Sequence, residues 1–364
     1  MRLLVVNAGS SSLKLSLLGS DDSLLWASEL PTSRAPIEPA MVAAALADLP
    51  AAPDAVGHRI VHGGERFTVA MRLEPDVFAA LGELAELAPL HQPKSLAAVE
   101  AVERVLPSIP SVACFDTSFH ATMPPAAATY ALPAAWRRRH PVRRYGFHGL
   151  SHAYADRRAR ELTARARRVI TCHLGAGASL CAVRDGRSVD TTMGFTPLEG
   201  LAMATRSGSV DPGLVLWLQQ RERLSAEAMA NALENESGIL GLSGTADMSE
   251  LLARDDEEAR LALGVYIHRV RAGIGTMAAS LDGLDALVFT GGVGERSSRV
   301  RELVCEGLSH LGIAVDAQCN RDDAEDADLS PPSARARVLV IRAREDREIA
   351  RQVRTTLDDH LARP

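Results

Sequence analysis

The amino-acid sequence predicts an α/β protein of two domains, and three observations carry that expectation. Short apolar runs alternate with longer stretches of helical, amphipathic period. The chain has 364 residues, enough for two domains that each bury a core of their own. A pattern near the start, "VVNAGSSSLKLSL" at 5–17, returns in weaker form as "ITCHLGAGASLCAV" at 170–183. Each copy is an apolar strand, a turn of small residues and a second apolar strand. Two such hairpins in separate halves suggest two related domains facing one another.

Taken in order, residues 3–18 form the first hairpin, and Val56–Val61 and Val112–Phe115 follow as strands. Arg168–His173 opens the second hairpin, and Ala286–Thr290 is a further strand. The 3.6-residue period predicts helices over Pro75–Leu87, Lys94–Leu106, Ala153–Ala166, Ser225–Asn235, Glu257–Leu281 and Arg344–Leu361. The Ala/Pro-rich Pro31–Pro53 is expected to be helix plus surface loop. Arg321–Ser333, acidic and proline-ended, is expected to be disordered.

Hydrophobic residues make up 46% and charged residues 24%, an ordinary globular balance. Forty basic against 46 acidic side chains give a net charge of −6, which does not favour nucleic acid as a partner. The basic run Arg165-Ala-Arg-Arg168 has helical spacing and is expected to be a solvated face. The five cysteines, at 114, 172, 181, 305 and 319, show no metal-binding spacing and are expected to be buried, reduced thiols of a cytoplasmic protein. The chain opens on a strand pattern rather than a signal peptide, and no apolar run is long enough to span a bilayer.

The turns carry the chemistry. "NAGSSSLK" at 7–14 interrupts its hairpin with three hydroxyls and a lysine, more than a chain reversal requires. Small residues let backbone approach a ligand closely, and adjacent N–H groups in such turns make anion-binding concavities. A third turn, "LVFTGGVGERS" at 287–297, is a strand, a Gly-Gly-Val-Gly turn and a helix beginning near Ser297 or Ser298. Neither the dinucleotide spacing nor the P-loop lysine spacing is present. Two hairpins and a strand–GG–helix turn instead resemble the phosphate and adenosine motifs of the actin-like ATPase superfamily, which includes sugar and acetate kinases. The first hairpin would hold phosphate, with Lys14 supplying charge and Asn7, Ser10 and Ser12 supplying hydrogen bonds.

The resemblance becomes specific over "NAGSSSLK" (7–14), "GHRIVHGGE" (57–65), "APLHQP" (88–93), "FDTSFHATMP" (115–124), "RRYGFHGLSH" (143–152), "CHLGAGAS" (172–179), "DTTMGFTPLEGLAMATRSGSVDP" (190–212) and "FTGGVGE" (289–295). The chain is similar to the acetate kinase family nearly from end to end, with trimming mostly between residues 19 and 55. The resemblance implies a two-domain actin-like (ribonuclease H-like) kinase fold with the active site in the interdomain cleft. Its domains would be 1–117 plus 347–364, and 118–346. It further implies a cytoplasmic homodimer that needs Mg²⁺ (or Mn²⁺) and moves the ATP γ-phosphoryl reversibly onto acetate, with ADP as the other product.

On a strand, Arg59 and Val61 share a face while His58, Ile60 and His62 take the other. A guanidinium beside a branched side chain suits a small aliphatic carboxylate. By resemblance Leu90, Phe147 and Pro197 complete the apolar pocket. Asp116 follows an apolar strand, at the end of the strand where α/β sites gather. The family makes it catalytic, often as proton acceptor. A carboxylic acid with a pKa of about 4 is already ionised at neutral pH, so Asp116 is better read as orienting the magnesium shell or Arg59, with a helix N-cap as the alternative. His148 and His152 invite a zinc reading, but Gly149 is expected to break the helix between them and no HExxH pattern follows. By resemblance His148 contacts the phosphoryl group in the transition state, His173 reaches its oxygens, and His152 is structural. Arg206, in "ATRSGS", would meet the charge that a phosphoryl group in flight spreads over its equatorial oxygens. Glu345 matches the family's magnesium-coordinating glutamate, with Asn7 beside it.

The nucleotide set implied by the resemblance is Lys14, Ser10, Ser12, His173, Leu174, Gly175, Ala176, Gly177, Asp247, Met248, Ser249, Gly291, Gly292, Val293, Gly294 and Glu295. Three departures fall within it or next to it. Ala176 stands where the family has Asn, Ser249 where it has Arg, and Arg296 where it has Asn. None falls on the acetate side. The rival readings are a propionate or butyrate kinase and a nucleotide-binding protein without turnover.

Overall fold

The computed structural model describes residues 1–9, 12–31, 37–88, 91–164, 166–322 and 325–361. In chain order, β1 (Leu3–Ala8), β2 (Ser12–Leu18) and β3 (Leu24–Pro31) form an antiparallel ribbon. Then come α1 (Pro39–Leu46), β4 (Ala55–Ile60), β5 (Met71–Arg72), α2 (Pro75–Glu83), α3 (Gln92–Val105) and β6 (Ser111–Phe115). The middle of the chain contributes α4 (Pro125–Ala128), α5 (Ala134–Arg139) and α6 (Gly149–Leu162), then a second ribbon, β7 (Arg168–Leu174), β8 (Ala178–Arg184) and β9 (Arg187–Thr191). Five helices follow: α7 (Pro212–Arg221), α8 (Ala226–Asn235), α9 (Gly238–Ser243), α10 (Met248–Ala253) and α11 (Glu257–Leu281). The chain ends with β10 (Ala286–Thr290), α12 (Gly291–Arg296), α13 (Ser298–Glu306), α14 (Ala317–Arg321), β11 (Ala327–Asp328), β12 (Arg337–Val340) and α15 (Glu345–Leu361).

Two compact units result. One contains 1–121, 149–154 and 344–364, and the other contains 122–148 and 155–343. Each holds one six-stranded sheet, in the orders β3-β2-β1-β4-β6-β5 and β11-β12-β10-β7-β8-β9. In both, an antiparallel three-strand ribbon joins two further parallel strands and ends in a short antiparallel edge strand. The weak repeat between 5–17 and 170–183 is therefore a repeat of topology.

The pleat sorts the first unit into two layers. Leu3 and Val5 pack with Val112, Cys114 and the α15 residues Ile349 and Val353. Leu4 and Val6 pack on the other side with Val56 and the α3 residues Ala98 and Val102. By that alternation Asn7, Arg59 and the residue after β6, Asp116, belong to the α15 side. Glu345, the first residue of α15, caps the same side.

Several expectations are corrected. β4 stops at Ile60, so Val61 lies just beyond the strand, although it is buried. Gly149 does not break a helix but opens α6, its N–H donating to the Asp116 carbonyl at 2.9 Å. His148 precedes that helix in left-handed backbone, so the helical pairing with His152 does not exist. The Gly-Gly-Val-Gly turn is itself helix α12, because the Glu295 carboxylate reaches back to the Gly291 N–H at 2.8 Å. The 165–168 run is no helical face. Arg168 enters β7 and pairs with Asp285, Arg167 pairs with Asp185, and Arg165 lies outside the described residues. Within 321–333, expected to be disordered, β11 pairs with β12 and Leu329 is fully buried. Cys319 is exposed, whereas the other four cysteines are buried.

Candidate active site

In the first unit the parallel register sets Asn7 opposite Arg59, and the hairpin register sets Asn7 opposite Lys14. Arg59 grips Asp116 through Nε, 3.2 Å from Oδ1, and Nη2, 2.6 Å from Oδ2. Its Nη1 donates to Asn7 Oδ1 at 3.1 Å, and Asn7 Nδ2 donates to Glu345 Oε2 at 2.9 Å. Glu345 Oε2 also stands 3.8 Å from Arg59 Nε. Among the described residues three of the five guanidinium N–H groups are thus committed, which leaves two for an incoming oxyanion.

Asp116 is 1% exposed, and burial pushes its carboxyl above the usual carboxylate range while the Arg59 charge opposes that shift. Burial works against the Arg59 cation too, but the Asp116 and Glu345 charges more than reverse it and raise its pKa. One cation faces two carboxylates, so the cluster keeps a formal charge of −1. Hard oxygen donors carrying excess negative charge fit Mg²⁺, which takes one or two carboxylates and completes its shell with phosphate and water. Among the described residues no group of three His, Cys, Asp or Glu side chains could hold a metal alone. Glu345, beside Asn7, is the residue that would hold it.

The first hairpin has polar partners of its own. Ser12 Oγ donates to Glu29 at 2.6 Å, and Lys14 Nζ lies 4.0 Å from the same carboxylate. Ser10 and Leu90 lie outside the described residues.

In the second unit the hairpin turn after β7 gathers the predicted side chains. A methyl placed on Gly177 would meet His148 Cε1 and Nε2 at 3.3 Å and Arg206 Nη1 at 3.5 Å, so both side chains converge on this turn. One placed on Gly175 would lie 3.7 Å from His173 Nε2 and 4.0 Å from the Gly292 nitrogen. The rings of His148 and His173 stack with centroids 4.3 Å apart, and Ser179 Oγ sits 2.9 Å from His148 Nδ1. Parallel pairing brings His173 opposite Thr290, the residue before Gly291, so Leu174–Gly177 and Gly291–Glu295 leave adjacent strand ends.

Arg206 is held differently from Arg59. Its Nη1 donates to the Pro197 carbonyl at 3.3 Å and lies 3.9 Å from Met203 Sδ. No carboxylate stands within ion-pair distance of it among the described residues, and burial lowers its pKa from the ordinary arginine value. A half-buried guanidinium with no ion-pair partner among the described residues, Glu234 acting on it only at longer range, suits an arriving anion. Phe147 is fully buried and Pro197 partly so. Asp247 caps α10 by accepting from the Ser249 and Glu250 N–H groups, which buries Met248 and leaves Ser249 exposed.

Comparison with known proteins accords with this geometry. The model of the acetokinase family matches residues 35–351. This chain belongs to the acetokinase family. A curated acetate kinase of Gloeobacter violaceus is 50% identical over 305 residues, covering 82% of this chain and 75% of that one. The crystal structure of Porphyromonas gingivalis acetate kinase is 37% identical with a TM-score of 0.90, covering 98% of this chain and 99% of that one. A Francisella tularensis propionate kinase structure is 33% identical with a TM-score of 0.89, covering 97% of this chain and 98% of that one.

Against the acetokinase pattern, sequence reasoning missed the second partners. Ser179, two residues beyond Gly177, could have been found from the alternation of β8. The Pro197 carbonyl on Arg206 and the Glu29 carboxylate on Ser12 carry no local signal. The first depends on a loop closing on itself, and the second on the register between β2 and β3.

Proposed function

We propose that this chain is an acetate kinase, which transfers the γ-phosphoryl group of ATP to acetate to give acetyl phosphate and ADP, reversibly and by direct in-line displacement. The observation that carries the mechanism is the half-buried Arg206 guanidinium, which makes no ion pair among the described residues and converges with His148 on the Gly177 turn. A carboxylate oxygen of acetate attacks the γ-phosphorus as the bond to the β–γ bridging oxygen breaks, and ADP leaves with that electron pair. Acetate is ionised at neutral pH, so no general base is required.

Asp116 holds Arg59 in place, and the two remaining Arg59 N–H groups bind the acyl carboxylate. By the family resemblance, the residues that would face its methyl group are Val61 and Leu90 of one unit and Phe147 and Pro197 of the other. Arg206, His148 and His173 stabilise the charge on the equatorial oxygens. Lys14, Ser10 and Ser12, with the Leu174–Gly177 and Gly291–Glu295 turns, hold the phosphates. Asp247, Met248 and Ser249 face the adenosine. When bound at Glu345 and Asn7, Mg²⁺ (or Mn²⁺) neutralises phosphate charge. Five free thiols suit a reducing, cytoplasmic setting.

Leu214 and Trp217, both exposed and three residues apart on one side of α7, form an apolar patch that we assign to a homodimer. Trp217→Glu is expected to halve the mass measured by light scattering; an unchanged mass would remove that assignment.

The test of activity is acyl-hydroxamate formation with ATP, acetate and Mg²⁺. Absence of product across nucleotides and divalent metals would favour a nucleotide-binding protein without turnover. The propionate kinase relative motivates a second reading, so the same assay is run from acetate to butyrate. Activity should fall from acetate to propionate and more steeply to butyrate, each methylene being discriminated by roughly 1–3 kcal/mol, and Val61→Ala should flatten the series. Equal kcat/KM for acetate and butyrate would refute the pocket.

A further inference from the structure

Between α5 and α6 the Arg144 side chain reaches into the 192–200 loop. Its Nη1 donates to the Thr192 and Met193 carbonyls at 3.2 and 3.1 Å, and its Nη2 donates to Glu199 Oε1 at 2.7 Å. The Tyr130 hydroxyl donates to the other Glu199 oxygen and accepts from the Phe195 N–H at 2.9 Å. The Arg144 guanidinium lies over the Tyr130 ring, 5.4 Å from its centroid. Burial, reinforced by the hydrogen bond to Glu199, raises the Tyr130 pKa, so the phenol stays a donor. The backbone joins the same cluster, the Tyr145 and Gly146 N–H groups meeting the Gly194 carbonyl at 3.0 and 3.2 Å. Gly194 leaves the space: a Cβ there would fall 1.7 Å from Glu199 Oε2 and 2.1 Å from the Tyr130 oxygen.

This cluster ties together two segments that bear substrate-facing residues. One runs from Arg144 to Phe147 and His148. The other carries Pro197, whose carbonyl accepts from Arg206. Glu199 is two residues from Pro197, and among the described residues its polar partners are Tyr130 and Arg144 rather than a residue assigned to substrate. We propose that Glu199, held by Arg144 and Tyr130, is a positioning residue that sets the spacing of Pro197 and Phe147 and thereby selects acyl chain length. The proposal rests on the assignment of those two residues to the acyl pocket.

The test compares Glu199→Gln, Tyr130→Phe and Pro197→Ala for acetate, propionate and butyrate, with the KM for ATP and thermal unfolding measured alongside. Glu199→Gln is expected to raise the acetate KM about tenfold and to narrow the acetate-to-propionate ratio of kcat/KM by a similar factor. Its KM for ATP should stay within about twofold. Tyr130→Phe, the milder change, should move the same two quantities in the same direction. If Pro197→Ala changes the ratio and neither of the other variants does, the positioning role is overturned while the pocket stands. If Pro197→Ala leaves the ratio unchanged as well, the pocket assignment itself fails. A Glu199→Gln protein that loses affinity for ATP and acetate equally would also overturn the proposal, since that is the behaviour of general loosening.

Discussion

Asn7 and Arg59 stand opposite one another on the parallel strands β1 and β4, and the Arg59 guanidinium donates to the Asn7 side-chain oxygen at 3.1 Å. That bond turns the Asn7 amide so that its nitrogen faces Glu345. The Glu345 carboxylate accepts from Asn7 and stands 3.8 Å from Arg59 Nε, which places a hard oxygen donor at the edge of this cluster. We predict that Glu345→Gln raises the half-saturating Mg²⁺ concentration by about 10- to 100-fold with little change in the acetate KM. A titration of activity against Mg²⁺ checks this, and an unaltered midpoint would remove Glu345 from the metal.

Arg206 leads to a different expectation, because it makes no ion pair among the described residues and feels only the more distant Glu234 charge, where Arg59 faces Asp116 and Glu345 directly. An interaction made chiefly in the transition state lowers kcat without raising KM. Arg206→Ala should therefore cut kcat by roughly 10³ or more while both substrate KM values stay within several-fold. Loss expressed mainly in KM would identify Arg206 as a ground-state binding residue.

How far all this was legible in the sequence depends on the range of the interaction. The strands and long helices were legible because burial imposes a period, and Glu257–Leu281 has the predicted bounds. The hairpin repeat was legible because a turn of small residues between two apolar strands is a local pattern. α12 was not, since its first N–H is satisfied by a side chain four residues on and by nothing in the glycines themselves. The place of Asp116 was visible as a strand end, but its grip on Arg59 needs two strands that lie 57 residues apart. The Arg144–Glu199 pair, 55 residues apart, joins two loops and left no periodic trace.

The first unit carries a pH liability in His58. It lies on β4 between Val56 and Ile60, is 1% exposed, and neither ring nitrogen has a hydrogen-bond partner among the described residues. Burial lowers its pKa from 6.5 to about 3, so the folded state keeps it neutral while the unfolded chain binds a proton. The folded pKa is depressed, so stability is full above pH 6.5 and is lost as the pH falls towards 3. His62, lowered to about 4, adds to the same loss. We predict that His58→Leu removes part of this dependence. Relative to the variant, the parent should lose up to about 1.4 kcal/mol per pH unit below that threshold. Urea unfolding followed by Trp26, with Trp136 and Trp217 replaced by Phe, reads the first unit alone. Parallel pH profiles for parent and variant would refute the assignment.

We propose that Ala176, Ser249 and Arg296, which depart from the family pattern that the sequence resembles, face the nucleotide, and the structure makes the consequence testable. Ala176 is exposed at the tip of the second hairpin turn and Ser249 is exposed at the start of α10, so larger side chains fit at both without clash. An asparagine amide bonds phosphate or ribose, and an arginine stacks on or bonds to a base; alanine offers neither, and serine only a short hydroxyl. We predict a raised KM for ATP and only modest discrimination between ATP and GTP, or use of another phosphoryl donor. Because the missing contacts lie away from the reacting phosphorus, they should weaken ground state and transition state alike and leave kcat largely intact. Ala176→Asn combined with Ser249→Arg should then lower the ATP KM without a comparable gain in kcat. The expectation fails if the unaltered protein already binds ATP tightly and rejects GTP. In that event Arg296 is the residue to remove next. Its Nε donates to the Gly292 carbonyl at 3.3 Å, which lays an exposed guanidinium along the glycine helix. Arg296→Ala would then raise the ATP KM in the unaltered protein and have a smaller effect in the double variant, where the restored side chains take over the contact.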